Sequence, residues 1–474
     1  MFYDIFYISM NHYIKRHISI LSHIVLVFTI GFLIFHFLFF WVNAIIDSYF
    51  YWAIGQYFKT GIYPFIHPFI YARPPTVSPP AYGLFLNIIQ LFPKPDIVLH
   101  AIQLVMLGGI GFFVYRTALL FISKSTSIIM ACLTILIPGN MVYASLALTE
   151  IGAELFISIY VYLLALFYAK KKTSTLALAC SLGFIVTTWK YAFIVFGFYA
   201  FVLFLLQKSK NISSYLIISI GIFIVLFWIY INHDITSVWG LSDNKAIIWN
   251  QIIMTGRTLP NENDPSMIKL RKYIPKETDL FQGYWGLQNY ILPYHHNDWR
   301  VADRILTNVA YTTIKQHPLV YIKTAGYLFW QLHQSGLPYW TNMWIFGNPN
   351  PYIAKLFCEK LGNIQMCEPL IKLPNSFSIW NTFVRVSNTF YFTLFPFIAS
   401  YVFLPSFIYL LFRGKKFERS LSMLYVLGTG PIAFFVHLDR RYIIPLYPIM
   451  ILIIIFVLHK IFLRFDKFKQ SFIF

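Results

Sequence analysis

Four groups of ionisable residues lie at the ends of apolar runs or just inside them. Asp47 follows the first long apolar run, and Glu150 and Glu154 begin a later one. Lys190 lies between two apolar runs, and a pair of arginines, Arg440–Arg441, precedes the last run. Ionisable side chains in such places are costly to keep in a membrane, so they are the first candidates for function.

Asp47 lies among aromatic residues, with Tyr49, Phe50, Tyr51 and Trp52 directly after it. A carboxylate beside aromatic rings could act as a general base that deprotonates a hydroxyl group next to a flat sugar ring. It could equally cap a helix or anchor the chain in an aromatic belt at the membrane surface. The residues alone leave both interpretations open.

Glu150 and Glu154 are four residues apart, which places them on one face of a helix with Glu154 one turn deeper. A buried pair of carboxylates is expensive to keep charged. Either one of them is protonated or a cation from elsewhere pairs with them, and Lys190 is the candidate. Such a pair could simply lock two helices together, or it could bind substrate.

Arg440 and Arg441 stand between Asp439 and Tyr442, on the side of the membrane where the other short loops have few basic residues. Arginine forks match phosphate oxygens in pairs of hydrogen bonds. The pair therefore indicates a site for a lipid phosphate, with contact to bulk phospholipid as the plainer alternative.

The composition predicts a membrane protein built from helices. The chain is 58% hydrophobic and 12% charged, with a mean hydropathy of +0.63, whereas soluble domains carry about 25% charged residues. Apolar runs of about 20 residues recur, long enough to cross a hydrocarbon core of about 30 Å. We expect an all-α polytopic protein with about ten transmembrane helices, within a range of about nine to thirteen.

The net charge of +19 could suggest nucleic-acid binding, but the placement of the basic residues excludes it. The clusters fall in short gaps between apolar runs or near the ends of the chain, which is the positive-inside pattern. It predicts that both termini are cytoplasmic. The clusters are Lys15–Arg16, Lys124, Lys170–Lys172, Lys208–Lys210, Arg413–Lys416 with Arg419, and Lys460 to Lys469.

This pattern divides the chain into three regions. Residues 1–232 form an N-terminal transmembrane region whose first outer loop, 43–94, carries Asp47, and residues 389–474 form a C-terminal one. Residues 233–388 are rich in both polar and aromatic residues, which predicts a folded extracytoplasmic domain of mixed or helical structure. Within it, Val301 to Gln334 has the apolar spacing of a helix lying along the membrane surface.

No metal or cofactor site is evident in this polar region. It contains several histidines and acids, but none has a recognised ligand spacing such as HExxH. These residues are His295, His296, Asp298, His317, His333 and Glu359. Cys358 and Cys367 lie on the same, oxidising side and could form a disulfide, although their proximity in sequence does not establish one.

Four segments, in order along the chain, resemble motifs of the GT-C superfamily of membrane glycosyltransferases. Asp47 to Pro64 is similar to the first-loop motif, and Pro79 to Leu86 is similar to the Pro-Pro stretch that follows it. Leu148 to Glu150 resembles the acidic second outer loop, and Arg441 to Pro448 resembles the segment before the last spans. The branch that looks closest holds the dolichyl-phosphate-mannose protein mannosyltransferases and the lipid A aminoarabinose transferase.

The resemblance implies a GT-C-like fold and a sugar donor linked to polyprenyl phosphate, with a lipid, glycan or protein as the acceptor. Asp47 would be the base or the carboxylate that orients the acceptor, and Glu150 would support hydroxyl groups of the acceptor or of the sugar. The donor phosphate would be held by Arg440, Arg441 and Lys190. The remaining substrate contacts expected are Tyr51, Glu154, Arg73 and Tyr442.

Two other classes of protein remain as alternatives. A polyprenyl-linked glycan polymerase, a flippase or another multi-pass transporter also carries charged residues in the membrane, although no internal repeat typical of transporters is evident. The second alternative class is a non-catalytic membrane scaffold. The single Asn-x-Ser/Thr site, at Asn211, falls on the predicted cytoplasmic side, which favours a bacterial or archaeal plasma membrane over the endoplasmic reticulum.

Overall fold

The structure is a computed structural model, and every regular element in the residues that it describes is a helix. The described residues are 2–39, 46–61, 78–207, 211–242, 245–296, 298–333, 394, 397–435 and 440–471. Within them the prediction of an all-α chain is confirmed, and no strand is present. Arg73, Cys358, Glu359, Cys367 and Asp439 lie outside the described residues, as do the side chains of Asp47, Arg440 and Arg441.

The described part of the N-terminal half holds ten α-helices. They are α1 (Phe2–Phe39), α2 (Ile46–Thr60), α3 (Pro80–Ile89), α4 (Pro95–Leu119), α5 (Lys124–Leu136), α6 (Pro138–Tyr143), α7 (Glu150–Lys170), α8 (Thr173–Ile185), α9 (Ile194–Leu205) and α10 (Ile212–Thr236).

The described part of the second half holds eight α-helices. They are α11 (Ile247–Trp249), α12 (Pro265–Arg271), α13 (Tyr284–Ile291), α14 (Trp299–Gln316), α15 (Pro318–Gln331), α16 (Leu404–Arg413), α17 (Lys416–Phe435) and α18 (Tyr447–Ser471).

Five helices in the described ranges are long and apolar enough to cross a membrane, which indicates that the chain inserts into one. These segments are Arg16–Phe39, Pro95–Leu119, Glu150–Lys170, Ile212–Thr236 and Tyr442–Arg464. Several other apolar runs form helices of 10 to 17 residues, among them α3, α5 and α9. The count of about ten spans stays a prediction.

Local sequence explains where several of these helices begin and end. Pro95 and Pro138 stand at first helical positions, where a missing N–H group is tolerated. Asn211 caps α10, because its side chain accepts a hydrogen bond from the N–H of Ser214 at 3.0 Å. Lys171 ends α7 in a left-handed conformation with φ of 55°. The apolar run from Ser127 to Tyr143 is divided into α5 and α6 at Pro138.

The helices bury two separate hydrophobic cores. The larger core joins α3 to α9 with α16, α17 and α18, and Tyr160 and Tyr425 are among its largest fully buried side chains. The smaller core lies between Ala246 and Ala310 and is built around Trp249, with α12, α13 and α14 packed on it. The smaller core falls within the region predicted to form an extracytoplasmic domain.

The stretch Val301 to Gln334, predicted to be helical around His317–Pro318, forms two helices that meet at His317. The first, α14, packs in the smaller core, whereas α15 runs antiparallel along α17. The hydroxyl of Tyr321 donates to the carbonyl oxygen of Phe434 at 2.6 Å, and the ring of His333 is hydrogen-bonded to Tyr425. Because Tyr425 is near the middle of α17, α15 follows that helix for about half its length.

Candidate functional site

The site is built around an ion pair between the first residue of α7 and the turn between α8 and α9. The Nζ atom of Lys190 lies 2.6 Å from Oε1 of Glu150. Lys190 is placed there because the apolar run breaks into two short 3₁₀ helices, Val186–Thr188 and Tyr191–Phe193, on either side of it. Both residues are buried, with 6% of the surface of Lys190 and 2% of that of Glu150 exposed.

The 3₁₀ helix Arg440–Leu446 lies against the same ion pair. The ring of Tyr442 is centred 4.9 Å from Nζ of Lys190, within the range of a cation–π contact. Tyr442 directly follows Arg440 and Arg441, whose backbones form the first turn of this helix. The structure thus brings the arginine segment to Lys190, although the two are separated by about half of the chain.

The helix α2 reaches the site from the other side. The hydroxyl of Tyr51 lies 3.4 Å from Oγ1 of Thr149, the residue before Glu150. Asp47 is in the first turn of α2, four residues before Tyr51 and therefore on the same face of the helix. The segments of Asp47, Glu150, Lys190 and Arg441 consequently meet at one end of the helix bundle.

Aromatic rings connect these segments. The ring of Tyr82 in α3 lies 5.3 Å from that of Tyr51 and 5.7 Å from that of Trp189. Trp189 packs directly on the backbone of α7 at Gly152, where an added Cβ atom would lie 2.2 Å from the indole ring. The hydroxyl of Tyr191 donates to the carbonyl oxygen of Ser78 at 3.0 Å, which ties the same turn to the start of α3.

Glu154, one turn deeper than Glu150, has a different environment. Its Oε1 accepts a hydrogen bond at 2.9 Å from the side chain of Asn140, which also donates to the carbonyl oxygen of Thr134 at 2.8 Å. Its Oε2 is buried, and no described residue donates a hydrogen bond to it. The two glutamates therefore do not share Lys190, which the structure pairs with Glu150.

The sequence alone did not identify several residues that contact the site. Trp189, Gly152 and Asn140 carried no distinctive local signal, although Asn140 is a polar residue just after Pro138-Gly139 within an apolar run. Tyr82 was part of a recognised segment but had no role assigned. Arg73 lies outside the described residues.

Among the described residues, no group of three or more His, Cys, Asp and Glu side chains could hold a metal ion. Two of the candidates named above have other contacts. His333 is hydrogen-bonded to Tyr425, and Asp298 forms an ion pair with Arg300.

The Glu150–Lys190 cluster, defined as Tyr51, Thr149, Glu150, Lys190 and Tyr442, combines a desolvated ion pair with an aromatic face. It adjoins the backbones of the Asp47 and Arg440–Arg441 segments. Such a combination can bind a phosphate and take a proton from a hydroxyl group. No family model, curated protein or solved structure matches this chain.

Proposed function

We propose that this protein is an integral membrane glycosyltransferase that moves a sugar from a polyprenyl-phosphate donor to a lipid, glycan or protein acceptor. The observation that carries the proposal is the convergence of α2, the first turn of α7, Lys190 and the 3₁₀ helix Arg440–Leu446. The three helical segments carry residues of motifs that resemble those of the GT-C superfamily, and Lys190 contacts one of these residues, Glu150. None of the four is close to the others in sequence. A GT-C-like fold with about ten spans is part of the same proposal.

The proposed reaction is a single displacement at the anomeric carbon. Asp47 accepts the proton of the acceptor hydroxyl as its oxygen forms a bond to that carbon. The bond from the carbon to the phosphate oxygen breaks, and the electron pair leaves with the polyprenyl phosphate. One displacement inverts the configuration of the sugar. Because the leaving group is already a phosphate, the reaction needs no nucleotide-binding loop.

The cations of the site have different proposed roles. Arg441, with Arg440, holds the donor phosphate and stabilises the charge that develops as it leaves. Lys190 is already engaged by Glu150 and by the ring of Tyr442. We therefore assign Lys190 and Glu150 mainly to positioning, since their contacts fix the helix that begins at Arg440, with Lys190 as a secondary contact for the phosphate.

The proposed location is the plasma membrane, with the site facing outside and both termini in the cytoplasm. The two ends of α7 support this orientation, because Glu150 is at one end and Lys170 and Lys171 are at the other. Basic residues are retained on the cytoplasmic side, so the end with Glu150 would face outside. The smaller core would then form the extracytoplasmic domain.

Asp47→Asn tests the role of the base. The purified protein in lipid nanodiscs would be given a panel of synthetic polyprenyl-phosphate sugars with radiolabelled sugar and a membrane extract as the acceptor. Loss of a general base lowers the rate by about 10²-fold or more, so label transfer should fall by that factor. Asp96→Asn is the matched control, because Asp96 also lies in the first turn of a helix but is not part of the proposed site. Equal turnover by the wild type and Asp47→Asn would refute the catalytic assignment.

Arg441→Ala tests the donor phosphate site. Losing one charge-assisted contact of about 1.5–3 kcal/mol should raise the KM for the donor by about tenfold or more. The KM for the acceptor should change little. A flippase or another transporter would leave the donor intact in both assays, so recovery of unchanged donor from the wild type with every sugar tested would contradict the proposed function.

A further inference from the structure

A cavity of about 450 Å³ lies where the end of α10 meets α14, at the edge of the smaller core. Thr236, Ser237 and Val238 form the wall on the α10 side. Three basic residues, Lys245, Arg300 and Arg304, line the remainder together with polar residues of α14. Its volume is in the range of sites for small ligands, and it shares no residue with the Glu150–Lys190 cluster.

The two acids that line this cavity already have partners in the protein. Asp298 accepts hydrogen bonds from Nε of Arg300 at 3.0 Å and from Nη2 at 3.3 Å, and these bonds hold the pKa of Asp298 below its usual value. Asp303 accepts a hydrogen bond from the N–H of Ala246 at 3.0 Å. Both carboxylates are therefore engaged by groups of the protein itself.

Arg300 forms a salt bridge with Asp298, whereas Lys245 and Arg304 form none with another described residue. The side chains of Lys245 and Arg304 are also exposed. Their ammonium and guanidinium groups are suited to phosphate oxygens, which arginine can bind in pairs. Asn308, which also lines the cavity from α14, can donate a further hydrogen bond. Three basic side chains face two carboxylates in this lining, and the net positive charge that results favours an anion over a neutral ligand such as a sugar.

The position of the cavity indicates where such an anion would come from. Its wall begins at Thr236, the last residue of a 25-residue apolar helix that is long enough to span the bilayer. Just beyond that helix, Trp239 is 64% exposed, and its ring stacks on that of His233 at 3.9 Å. Exposed aromatic rings at the end of a span are typical of the membrane–water interface. The cavity therefore lies at the level of the lipid headgroups.

We propose that this cavity binds the phosphate of an anionic lipid headgroup, held by Lys245 and Arg304. The acyl chains would lie along the exposed apolar side of α10, which includes Phe223, Phe227 and Tyr230. This site would fix the smaller core against the membrane surface. It does not depend on the proposed sugar transfer, because it uses none of the residues of that site.

The test uses the full-length protein in nanodiscs of phosphatidylcholine. Three probes would be titrated with binding followed by native mass spectrometry: phosphatidylglycerol, diacylglycerol with the same chains, and soluble glycerol phosphate. We expect preferential binding of phosphatidylglycerol. Loss of two charge-assisted contacts should weaken it by about tenfold or more in Lys245→Gln/Arg304→Gln. Arg304→Gln alone should have a smaller effect in the same direction.

The matched control is Lys269→Gln/Lys272→Gln, which removes the same charge from exposed positions of the same core that do not line the cavity. Its affinity for phosphatidylglycerol should stay close to that of the wild type. Equal weakening in both double variants would reduce the effect to general electrostatic attraction and overturn the proposal. Equal affinity for diacylglycerol would exclude recognition of the phosphate, and equal affinity for glycerol phosphate would exclude a lipid as the source.

Discussion

At the scale of single residues, the Glu150–Lys190 pair is the most constrained feature of the site. Both side chains are almost entirely buried, and each compensates the charge of the other. Removing one member of a buried pair leaves an uncompensated charge, which costs more than the pair itself contributes. The ring of Tyr442 adds a second contact on the lysine. The pair therefore ties α7 to the 3₁₀ helix Arg440–Leu446.

Single and double substitutions distinguish the cost of a buried unpaired charge from the contribution of the pair. Lys190→Met should destabilise the protein by about 3–5 kcal/mol, because Glu150 stays buried without its cation. Glu150→Gln/Lys190→Met should recover most of this loss, since neither member of the pair then remains as a buried charge without the other. The measurement is the midpoint of thermal unfolding in detergent. Lys172→Met, at an exposed lysine beyond the opposite end of α7, is the control and should change stability by less than about 0.5 kcal/mol. A double variant as unstable as Lys190→Met would contradict this account.

At the scale of elements, the crossing of α2 and α3 decides where Asp47 is held. The two helices meet at Gly55 and Gly83, and a Cβ atom added to Gly83 would lie 2.2 Å from Cγ2 of Ile54 and 2.6 Å from the carbonyl oxygen of Tyr51. The side chain of Asn87 donates to the carbonyl oxygen of Gly55. Small residues permit this close approach of backbones, which is a common way of packing helices in membranes.

Gly83→Ala should separate α2 from α3. The methyl group meets the backbone of α2, which cannot rotate away as a side chain can, so we expect a loss of about 1–3 kcal/mol. Because α2 carries Asp47, sugar transfer should fall more than the amount of folded protein. Gly31→Ala in α1 is the control, since nothing lies within 4 Å of its added Cβ atom. Transfer at the wild-type rate by Gly83→Ala would show that this crossing does not position the site.

At the scale of the whole molecule, the smaller hydrophobic core and the basic residues near Lys416 lie at different ends of the helix bundle. The chain between α10 and α15 folds around Trp249, and α15 then returns along α17, so the smaller core adjoins the end of α17 that carries Phe434. The opposite end of α17 begins at Lys416, and its neighbour Glu418 forms an ion pair with Lys460 of α18. The smaller core and these basic residues therefore lie at opposite ends of the helix bundle.

Cysteine labelling on cells tests this orientation. In a background with Cys358 and Cys367 replaced by serine, the remaining Cys132 and Cys180 are buried. Lys276→Cys, in the smaller core, should react with a membrane-impermeant maleimide on intact cells. Lys172→Cys, in the basic turn after α7, should react only after the cells are opened, because positive loops stay in the cytoplasm. The reverse pattern would place the Glu150–Lys190 cluster on the cytoplasmic side.

Composition and periodicity alone determined that the described chain is helical and carries helices long enough to cross a membrane. These properties depend on local quantities: the length of an apolar run, and the placement of prolines, caps and basic residues along it. Local sequence was less informative where a run is interrupted. Pro138 and Pro318 permit the breaks, but only the tertiary structure shows that the segments after them are joined to α7 through Asn140 and to α17 through Tyr321.

The candidate residues could be listed from the sequence, because charges near apolar runs are rare, but their arrangement could not. Whether Lys190 would pair with Glu150 or Glu154 was undecided, since both carboxylates lie on the same face of α7. The tertiary structure decided it by placing Asn140 beside Glu154 and Tyr442 beside Lys190. Contacts of this kind join residues from distant parts of the chain, and their partners depend on how the helices pack, which no local pattern encodes.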